Sequence, residues 1–226
     1  MKPRTILDRT TTPDGAANEL AVDADGHHSI RLAGSPLMSS ASYGSEQAMA
    51  TVAHELLGKR ANCKVLVGGL GMGFTCRAAL DEFGADAEVT VAELLPSVVG
   101  HNHGPLGTLA DHPLLDERTR LFDGDVRELL TRGAWDAILI DVDDGPDART
   151  TPANKALFSH KGIARLARAL RRTGVLVVWS AYASPAFEAT LRRTDLAVET
   201  RRVYARAPAR KGPKHTLFIG RATERP

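Results

Sequence analysis

The sequence predicts an α/β protein, a Rossmann-like doubly wound sheet of seven mostly parallel strands with an antiparallel C-terminal edge and a short N-terminal β-hairpin. The first observation is the apolar run at 65–68, which breaks into glycines at Gly69, Gly71 and Gly73. A buried parallel strand followed by a tight glycine turn has this pattern. Helical sequence follows at once, and Glu93 ends the next apolar run, 20 positions after Gly73. Strands and helices then alternate, which is typical of a parallel sheet covered on both faces.

The N-terminal elements come first along the chain. Residues 1–17 are polar and rich in turn formers, so we expect no regular element there. Apolar and alternating residues on both sides of an Asp-Gly pair predict a β-hairpin at 20–32, and Gly34 to Pro36 end its second strand. A helix is predicted at 45–57, because apolar residues recur on one face and Gly58 stops them.

Beyond Gly58 the periodicity alternates between strand and helix. Strands are predicted at 63–68, 88–93, 118–122, 135–141, 174–181, 197–204 and 214–220. Helices are predicted at 73–83, 96–110, 125–132, 159–171 and 184–194. The last two strands are joined by the short Pro-, Gly- and Lys-rich stretch 208–213, which favours a hairpin and therefore an antiparallel edge. We accordingly divide the chain into an N-terminal appendage, 1–58, and a catalytic domain, 59–226.

The glycines and Glu93 predict a nucleoside cofactor. The spacing of Gly69, Gly71 and Gly73 lacks the longer G-x-G-x-x-G pattern, which favours a cofactor without a pyrophosphate, namely S-adenosylmethionine. Glu93 stands where a carboxylate binds the two ribose hydroxyls of such a cofactor. Gly124 and Asp125 follow the third strand of this domain, where Asp125 is expected to cap a helix, to bind the adenine, or to do both.

A cluster of acids follows the fourth strand, at Asp141, Asp143, Asp144 and Asp147. Such a cluster is often a solvated turn. Asp141 comes directly after apolar residues, however, where an acid is costly unless it has a partner or a task. A carboxylate there could orient or deprotonate an amine, so we predict Asp141 and Asp144 to be catalytic. Asp143 and Asn102, which stands where a helix approaches the cofactor, are predicted to contact the substrate.

Composition and charge exclude several classes of function. The formal net charge is +2, no run reaches 18 apolar residues, and the N-terminus has no signal-peptide core, so we expect a cytoplasmic protein. No metal is expected, because the histidines at 101, 103 and 112 lack ligand spacing. Residues 192–226 carry ten Lys or Arg against three acids and could meet RNA phosphates. Stacking aromatics are scarce there, so a solvated face is the preferred interpretation and nucleic acid is not an expected partner.

Four stretches together resemble the core of the spermidine synthases, a branch of the class I S-adenosylmethionine-dependent methyltransferase fold. They are Val65 to Gly73, Ala92 to Val99, Gly124-Asp125 and Asp141 to Pro146. The resemblance covers roughly residues 18–182. It implies that the glycines lie under the methionine part of the cofactor, that Glu93 binds the ribose, and that Asp125 binds the adenine amino group. It also implies that Asp141 and Asp144 are the two acids of the family's D-x-x-D pattern, and it makes a homodimer the expected state.

The chain departs from that family in three places. Asp144 is followed by Gly145 rather than proline, the N-terminal part offers at most one hairpin, and the segment Tyr43-Gly44-Ser45-Glu46 lacks the family's histidine. Tyr43 of this segment is predicted to contact the substrate. These departures lead us to expect a conserved cofactor core with a changed reaction.

The first expectation is therefore an S-adenosylmethionine-dependent methyltransferase that acts on a small cationic, amine-bearing or N-heterocyclic acceptor. The alternative is an aminopropyltransferase that uses decarboxylated S-adenosylmethionine. A second alternative is an RNA-directed or non-catalytic cofactor-binding protein. The first two differ at the cofactor carboxylate, for which a methyltransferase needs donors such as free backbone N–H groups at the glycine turn.

Overall fold

The computed structural model describes residues 3–12, 15–142, 145–147, 152–206 and 211–223, which form two β-sheets and their covering helices. The strands are β1 (Arg4–Thr11), β2 (Ala17–Asp23), β3 (His28–Leu32), β4 (Ser35–Ser39), β5 (Lys64–Gly68), β6 (Glu88–Glu93), β7 (Thr119–Asp123), β8 (Trp135–Ile140), β9 (Leu170–Ser180), β10 (Leu196–Arg206) and β11 (Lys211–Ala222). The α-helices are α1 (Gly44–Leu57), α2 (Phe74–Glu82), α3 (Pro96–His103), α4 (Pro152–Leu157), α5 (His160–Ala169) and α6 (Pro185–Leu191). Short 3₁₀ helices cover Gly107–Ala110, Pro113–Leu115 and Val126–Leu129.

The larger sheet has seven strands in the order β10-β11-β9-β8-β5-β6-β7. Strands β5 to β9 are parallel to one another, whereas β11 pairs antiparallel with both β9 and β10. This arrangement confirms the predicted fold class. Because β5 has β6 on one side and β8 on the other, the strand order reverses between β5 and β8. The carboxyl ends of these two strands are therefore the switch point where a doubly wound sheet binds its ligand.

Two apolar layers cover the faces of this sheet. On one face α1 and α2 bury residues such as Met49 and Ala79 against Val67 and Leu139. On the other face Ile163 of α5 belongs to a second cluster, together with further residues of α6, β8 and β9. Helix α1 thus packs on the larger sheet, although the boundary predicted at residue 58 groups it with the N-terminal strands.

The N-terminal sheet has four antiparallel strands in the order β1-β2-β3-β4, so the expectation of a single hairpin is wrong. The predicted hairpin is present as β2 and β3, but β1 occupies a segment expected to have no regular element. Strand β1 is mostly exposed and lies at an edge, and edge strands carry polar residues that resemble a loop in sequence. Ala33 and Gly34 have φ values of 48° and 79°, which is the geometry of a two-residue hairpin turn leading into β4.

Three helices also differ from the predictions. The helix expected at 96–110 ends at His103, because the backbone leaves the helix at Gly104 and continues as a 3₁₀ turn. The helix expected at 125–132 is a single 3₁₀ turn, and α4 was not predicted. Within the described ranges, no helix has the length and apolar character needed to cross a membrane.

Candidate functional site

A cavity of about 430 Å³ lies at the carboxyl ends of the parallel strands, between the larger sheet and the N-terminal sheet. Its floor consists of five residues predicted to bind the cofactor (Gly69, Gly71, Glu93, Gly124 and Asp125) and of Asp141, which was predicted to be catalytic. Its roof consists of residues from the N-terminal sheet: Asn18, Ile30, Leu32, Leu37, Met38 and Ser39. Strand β4, which the sequence did not predict, therefore helps to close the site together with the predicted hairpin of β2 and β3.

Two glycines of the turn are required by close contacts. Gly69 has φ of +95°, and a Cβ there would lie 2.1 Å from the carbonyl oxygen of Asp141. Gly71 has φ of +52°, and its Cβ would lie 2.8 Å from Cε of Met38. Both conformations are open to glycine and strained for other residues. Gly73 has a left-handed backbone at the start of α2 and is not on the cavity wall.

Glu93 ends β6 with its carboxylate held by the backbone. Its Oε2 accepts a hydrogen bond from the Leu70 amide at 2.9 Å, and its Oε1 accepts one from the Leu95 amide at 2.8 Å. Burial raises the pKa of Glu93, and the backbone hydrogen bonds oppose that rise. Each carboxylate oxygen keeps a second lone pair, so the group is oriented and can still accept two hydroxyl donors.

Asp125 both caps a turn and lines the cavity. Its side chain accepts a hydrogen bond from the Arg127 amide at 2.8 Å and pairs with the Arg127 guanidinium at 2.6 Å. Burial raises the pKa of Asp125, but the hydrogen bonds and charge of Arg127 outweigh it and leave the pKa below its ordinary value. The predicted N-cap is confirmed, while adenine binding by Asp125 stays a prediction.

Two further carboxyl groups with raised pKa values line the cavity, beside Glu93. Asp141 accepts a hydrogen bond at Oδ2 from the Thr75 hydroxyl at 2.5 Å, and burial raises its pKa to about 6 against that bond. Glu46, in the first turn of α1, is only 6% exposed. Burial and then the charge of Asp141 raise the pKa of Glu46 to about 8, and the hydrogen bond from Ser45 opposes the rise.

The sequence did not predict a role for Ser45 and His215, which form a chain of hydrogen bonds with Glu46. The Ser45 hydroxyl donates to Oε2 of Glu46 at 2.6 Å and lies 2.8 Å from Nδ1 of His215. His215, on β11, packs edge-on against the Trp179 ring at 4.8 Å, and burial lowers its pKa. Ser45 and His215 are 170 positions apart, so no local pattern joins them. The one available signal was Ser45-Glu46 itself, in a segment that departs from the family's pattern.

Several predicted substrate residues lie away from the cavity wall. The Asn102 side chain is buried behind the turn, where its amide donates to the Gly71 carbonyl at 2.8 Å and so supports the turn. The Tyr43 ring stacks on Phe74 at 4.2 Å and is also absent from the wall. Asp143 and Asp144 lie outside the described residues.

The charge of the cavity has one sign. Among the described residues that line it, four carry carboxyl groups (Glu46, Glu93, Asp125 and Asp141) and none is Lys or Arg. The indole Nε1 of Trp179 is buried there without a protein hydrogen-bond partner. No set of three potential metal ligands occurs in the described part of the chain. The cavity therefore fits a cationic organic ligand with an apolar body.

Three solved structures that share this fold with the chain are two spermidine synthases and a probable spermidine synthase. One, in complex with the transition state analogue AdoDATO, is 15% identical with a TM-score of 0.74, covering 96% of this chain and 72% of its own. The enzyme from Thermotoga maritima is 17% identical, with coverages of 95% and 72% and a TM-score of 0.74. A probable spermidine synthase from Corynebacterium glutamicum is 17% identical, with coverages of 98% and 81% and a TM-score of 0.63. No protein-family model and no curated protein sequence matches the chain.

At these identities the comparisons show a shared fold, as the resemblance in sequence implied. They also correct the first expectation of function. The prediction of a methyltransferase is wrong, because the matched structures are spermidine synthases and support the alternative, an aminopropyltransferase.

Proposed function

We propose that this protein is an aminopropyltransferase, which transfers an aminopropyl group from decarboxylated S-adenosylmethionine to a small amine. The observation that carries the proposal is the charge of the cavity, where the described wall has four carboxyl groups and no Lys or Arg. A carboxylate-bearing cofactor would lack a cationic partner on this wall and would face repulsion. The sulfonium and the primary ammonium of the decarboxylated cofactor are positively charged, and the amine acceptor carries no negative charge. The carboxyl groups of the wall attract such groups.

The glycine turn supports the same conclusion. Its amides are the donors that would otherwise hold a cofactor carboxylate. The Gly69 amide already donates to the Ala92 carbonyl at 2.9 Å, and the Gly73 amide donates to the Leu70 carbonyl at 2.8 Å. The Leu70 amide is used by Glu93. These three amides are thus engaged within the protein, which favours the decarboxylated form of the cofactor.

The floor of the cavity supplies the nucleoside half of the proposed site. Glu93 would accept the two ribose hydroxyls with its remaining lone pairs, while the backbone amides hold its carboxylate in place. Asp125 would accept the adenine amino group, since its pairing with Arg127 keeps it ionised. Gly71 brings no side chain of its own to this wall, and the thioether end of Met38 from the roof lies against it.

The chemistry that remains for the protein is positioning and proton removal. The bound sulfonium supplies an electrophilic carbon; the amine nitrogen bonds to that carbon while the carbon–sulfur bond breaks and its electron pair goes to sulfur. An amine is protonated at neutral pH, so it must first lose a proton to expose its lone pair. Thr75 fixes Oδ2 of Asp141, so Oδ1 is the oxygen proposed to orient the amine and accept that proton. A pKa of about 6 brings Asp141 closer to the ambient pH than an ordinary carboxyl, as suits a general base.

Calorimetric titration with S-adenosylmethionine and with its decarboxylated form tests the proposal. We expect the decarboxylated form to bind at least about tenfold more tightly, which corresponds to roughly 1.4 kcal/mol. Glu93→Gln should weaken its binding about tenfold or more, because it loses hydrogen bonds to a charged acceptor. Asp123→Asn, a change to an exposed acid nearby, is the matched control and should leave binding unchanged. Incubation with a panel of primary amines and mass spectrometry would then identify the acceptor.

Tighter binding of the carboxylated form, or binding of neither form, would overturn the proposal. The role of Asp144 as the second acid, the substrate contacts of Asp143, and the homodimer and cytoplasmic location stay predictions from the sequence. Asn102 and Tyr43 are proposed to act on the site through the turn and through Phe74, respectively.

A further inference from the structure

Three side chains lead from the cavity wall to strand β11. Glu46 lines the cavity, Ser45 is completely buried, and His215 is half-buried and lines the cavity from the other side. The Ser45 oxygen is 2.6 Å from Oε2 of Glu46 and 2.8 Å from Nδ1 of His215. Both distances are those of direct hydrogen bonds, so no water is needed between these groups.

A serine hydroxyl has one proton, and this constrains the chain of hydrogen bonds. When Glu46 is an acid, it can donate to Ser45, and Ser45 then donates to an unprotonated Nδ1 of His215. When Glu46 is a carboxylate, Ser45 must donate to it, and His215 must then carry its proton on Nδ1. The first arrangement becomes the second when protons shift along the chain and His215 releases its Nε2 proton, without movement of the heavy atoms.

We propose that Glu46, Ser45 and His215 form a proton relay that carries the proton lost by the acceptor amine away from the carboxyl groups of the cavity. This inference rests on the proposed function. The amine gives a proton to Asp141, Glu46 passes its own proton to Ser45, and Ser45 passes its proton to Nδ1 of His215. His215, now protonated on both nitrogens, releases its Nε2 proton to water, so that one proton enters, one leaves, and Glu46 and Asp141 together again hold one proton. His215, which acts through Ser45, is a positioning residue that sets the protonation of Glu46.

The charged groups around the relay are the carboxyl groups of the cavity and two cations of β10 and β11. Asp141, at the end of β8, is the charge that bears most directly on Glu46. Glu93 and Asp125 line the same cavity and would attract cationic ligands, whose arrival would favour loss of a proton from Glu46. Lys214, beside His215 on β11, lies over the Tyr204 ring, 4.7 Å from its centre. Nε of Arg206, on β10, donates a hydrogen bond to the hydroxyl oxygen of Ser42 at 3.3 Å.

The ligand-free protein offers a direct test, which does not depend on enzyme activity. Nitrogen NMR of histidine-labelled protein reports which ring nitrogen of His215 carries the proton, with His215→Gln identifying the signal. As the pH rises through about 8, where Glu46 ionises, we expect the His215 proton to change from Nε2 to Nδ1. The change should vanish in Ser45→Ala and in Glu46→Gln and persist in Glu55→Gln, which alters an exposed acid of the same helix.

A steady-state assay with the identified amine gives the second test. Ser45→Ala and His215→Gln should lower kcat about tenfold to a hundredfold at neutral pH with little change in KM, and Ser45→Thr should retain most of kcat because it keeps the hydroxyl. Absence of the tautomer change in the wild-type protein overturns the relay, and so does an undiminished kcat in Ser45→Ala. Failure of the proposed function is a different result, in which the wild-type protein forms no aminopropyl product while the tautomer change is present.

Discussion

Replacing Glu46 by Gln should stabilise the protein by an amount that grows as the pH rises from about 4.5 to about 8 and then stays level. Glu46 is 6% exposed and shares its cavity with Asp141, and the two effects raise its pKa from 4.5 to about 8. An acid whose pKa is raised by folding is ionised more readily in the unfolded chain. The free energy of unfolding is therefore highest below about pH 4.5. It decreases as the pH rises from there to about 8.

The size of the effect follows from that shift. One pKa unit corresponds to about 1.4 kcal/mol, so a rise from 4.5 to about 8 sets an upper value of about 5 kcal/mol for burying the ionised group. Water that enters a cavity of about 430 Å³ would solvate part of this charge. We therefore expect Glu46→Gln to gain roughly 2 to 3 kcal/mol in its free energy of unfolding, relative to the wild type, between pH 5 and pH 9. The amide is isosteric and still accepts the Ser45 hydroxyl, so little packing changes.

Urea denaturation at pH 5 and at pH 9, followed by circular dichroism, measures the two differences in free energy of unfolding. Glu55→Gln is the matched control on the same helix; its side chain is 60% exposed and pairs with Arg201, so it should change stability by less than about 1 kcal/mol at either pH. The free energies of unfolding of Glu46→Gln and the wild type could instead differ by the same amount at both pH values. That result would refute the assignment of a buried, neutral acid at this position.

Three further changes test how the site is supported. Asp136→Ala should destabilise the protein by about 1.5 to 3 kcal/mol in urea denaturation, because it removes a buried carboxylate that lies 2.6 Å from both Arg60 and Arg171 and accepts the Lys64 amide; a cost under about 1 kcal/mol would contradict this. Gly69→Ala should leave little folded protein by thermal denaturation, because its Cβ would lie 2.1 Å from the Asp141 carbonyl oxygen; a normal melting temperature would show that the strand ends can separate. Ser159→Ala should cost about 1 kcal/mol by removing the N-cap of α5, and an unchanged urea midpoint would exclude that role.

The larger sheet could be predicted because its signals are local. The central parallel strands β5 and β8 are short apolar runs that are almost entirely buried, and the glycines or acids that follow them mark their carboxyl ends. The N-terminal sheet was harder to predict, since β1 is a polar edge strand and Gly34, which in the sequence indicates the end of a strand, lies in the turn between β3 and β4. Hydropathy distinguishes an exposed edge strand poorly from a loop, because both are dominated by contact with water.

The residues of the candidate site also fall into two groups, those with a local signal in the sequence and those brought together only by packing. Gly69, Gly71, Glu93 and Asp125 each lie at or just after the end of a strand, so their convergence follows from the topology of a parallel sheet. Glu46 and His215 meet only because α1 packs on the strands that follow it much later in the chain. A contact across 170 positions has no periodicity and no spacing to detect.

The same division separates the two parts of the functional expectation, the class of cofactor and the reaction. A nucleoside is bound by groups that recur at fixed places along the chain, and methyl and aminopropyl transfer both use such a nucleoside. The two reactions differ at the cofactor carboxylate, and that difference depends on donors that the cavity does or does not offer. Here the Leu70 amide is already bound to Glu93, and no Lys or Arg lies on the described wall. These are properties of the assembled cavity, so a motif of glycines and acids, shared by both reactions, could not distinguish them.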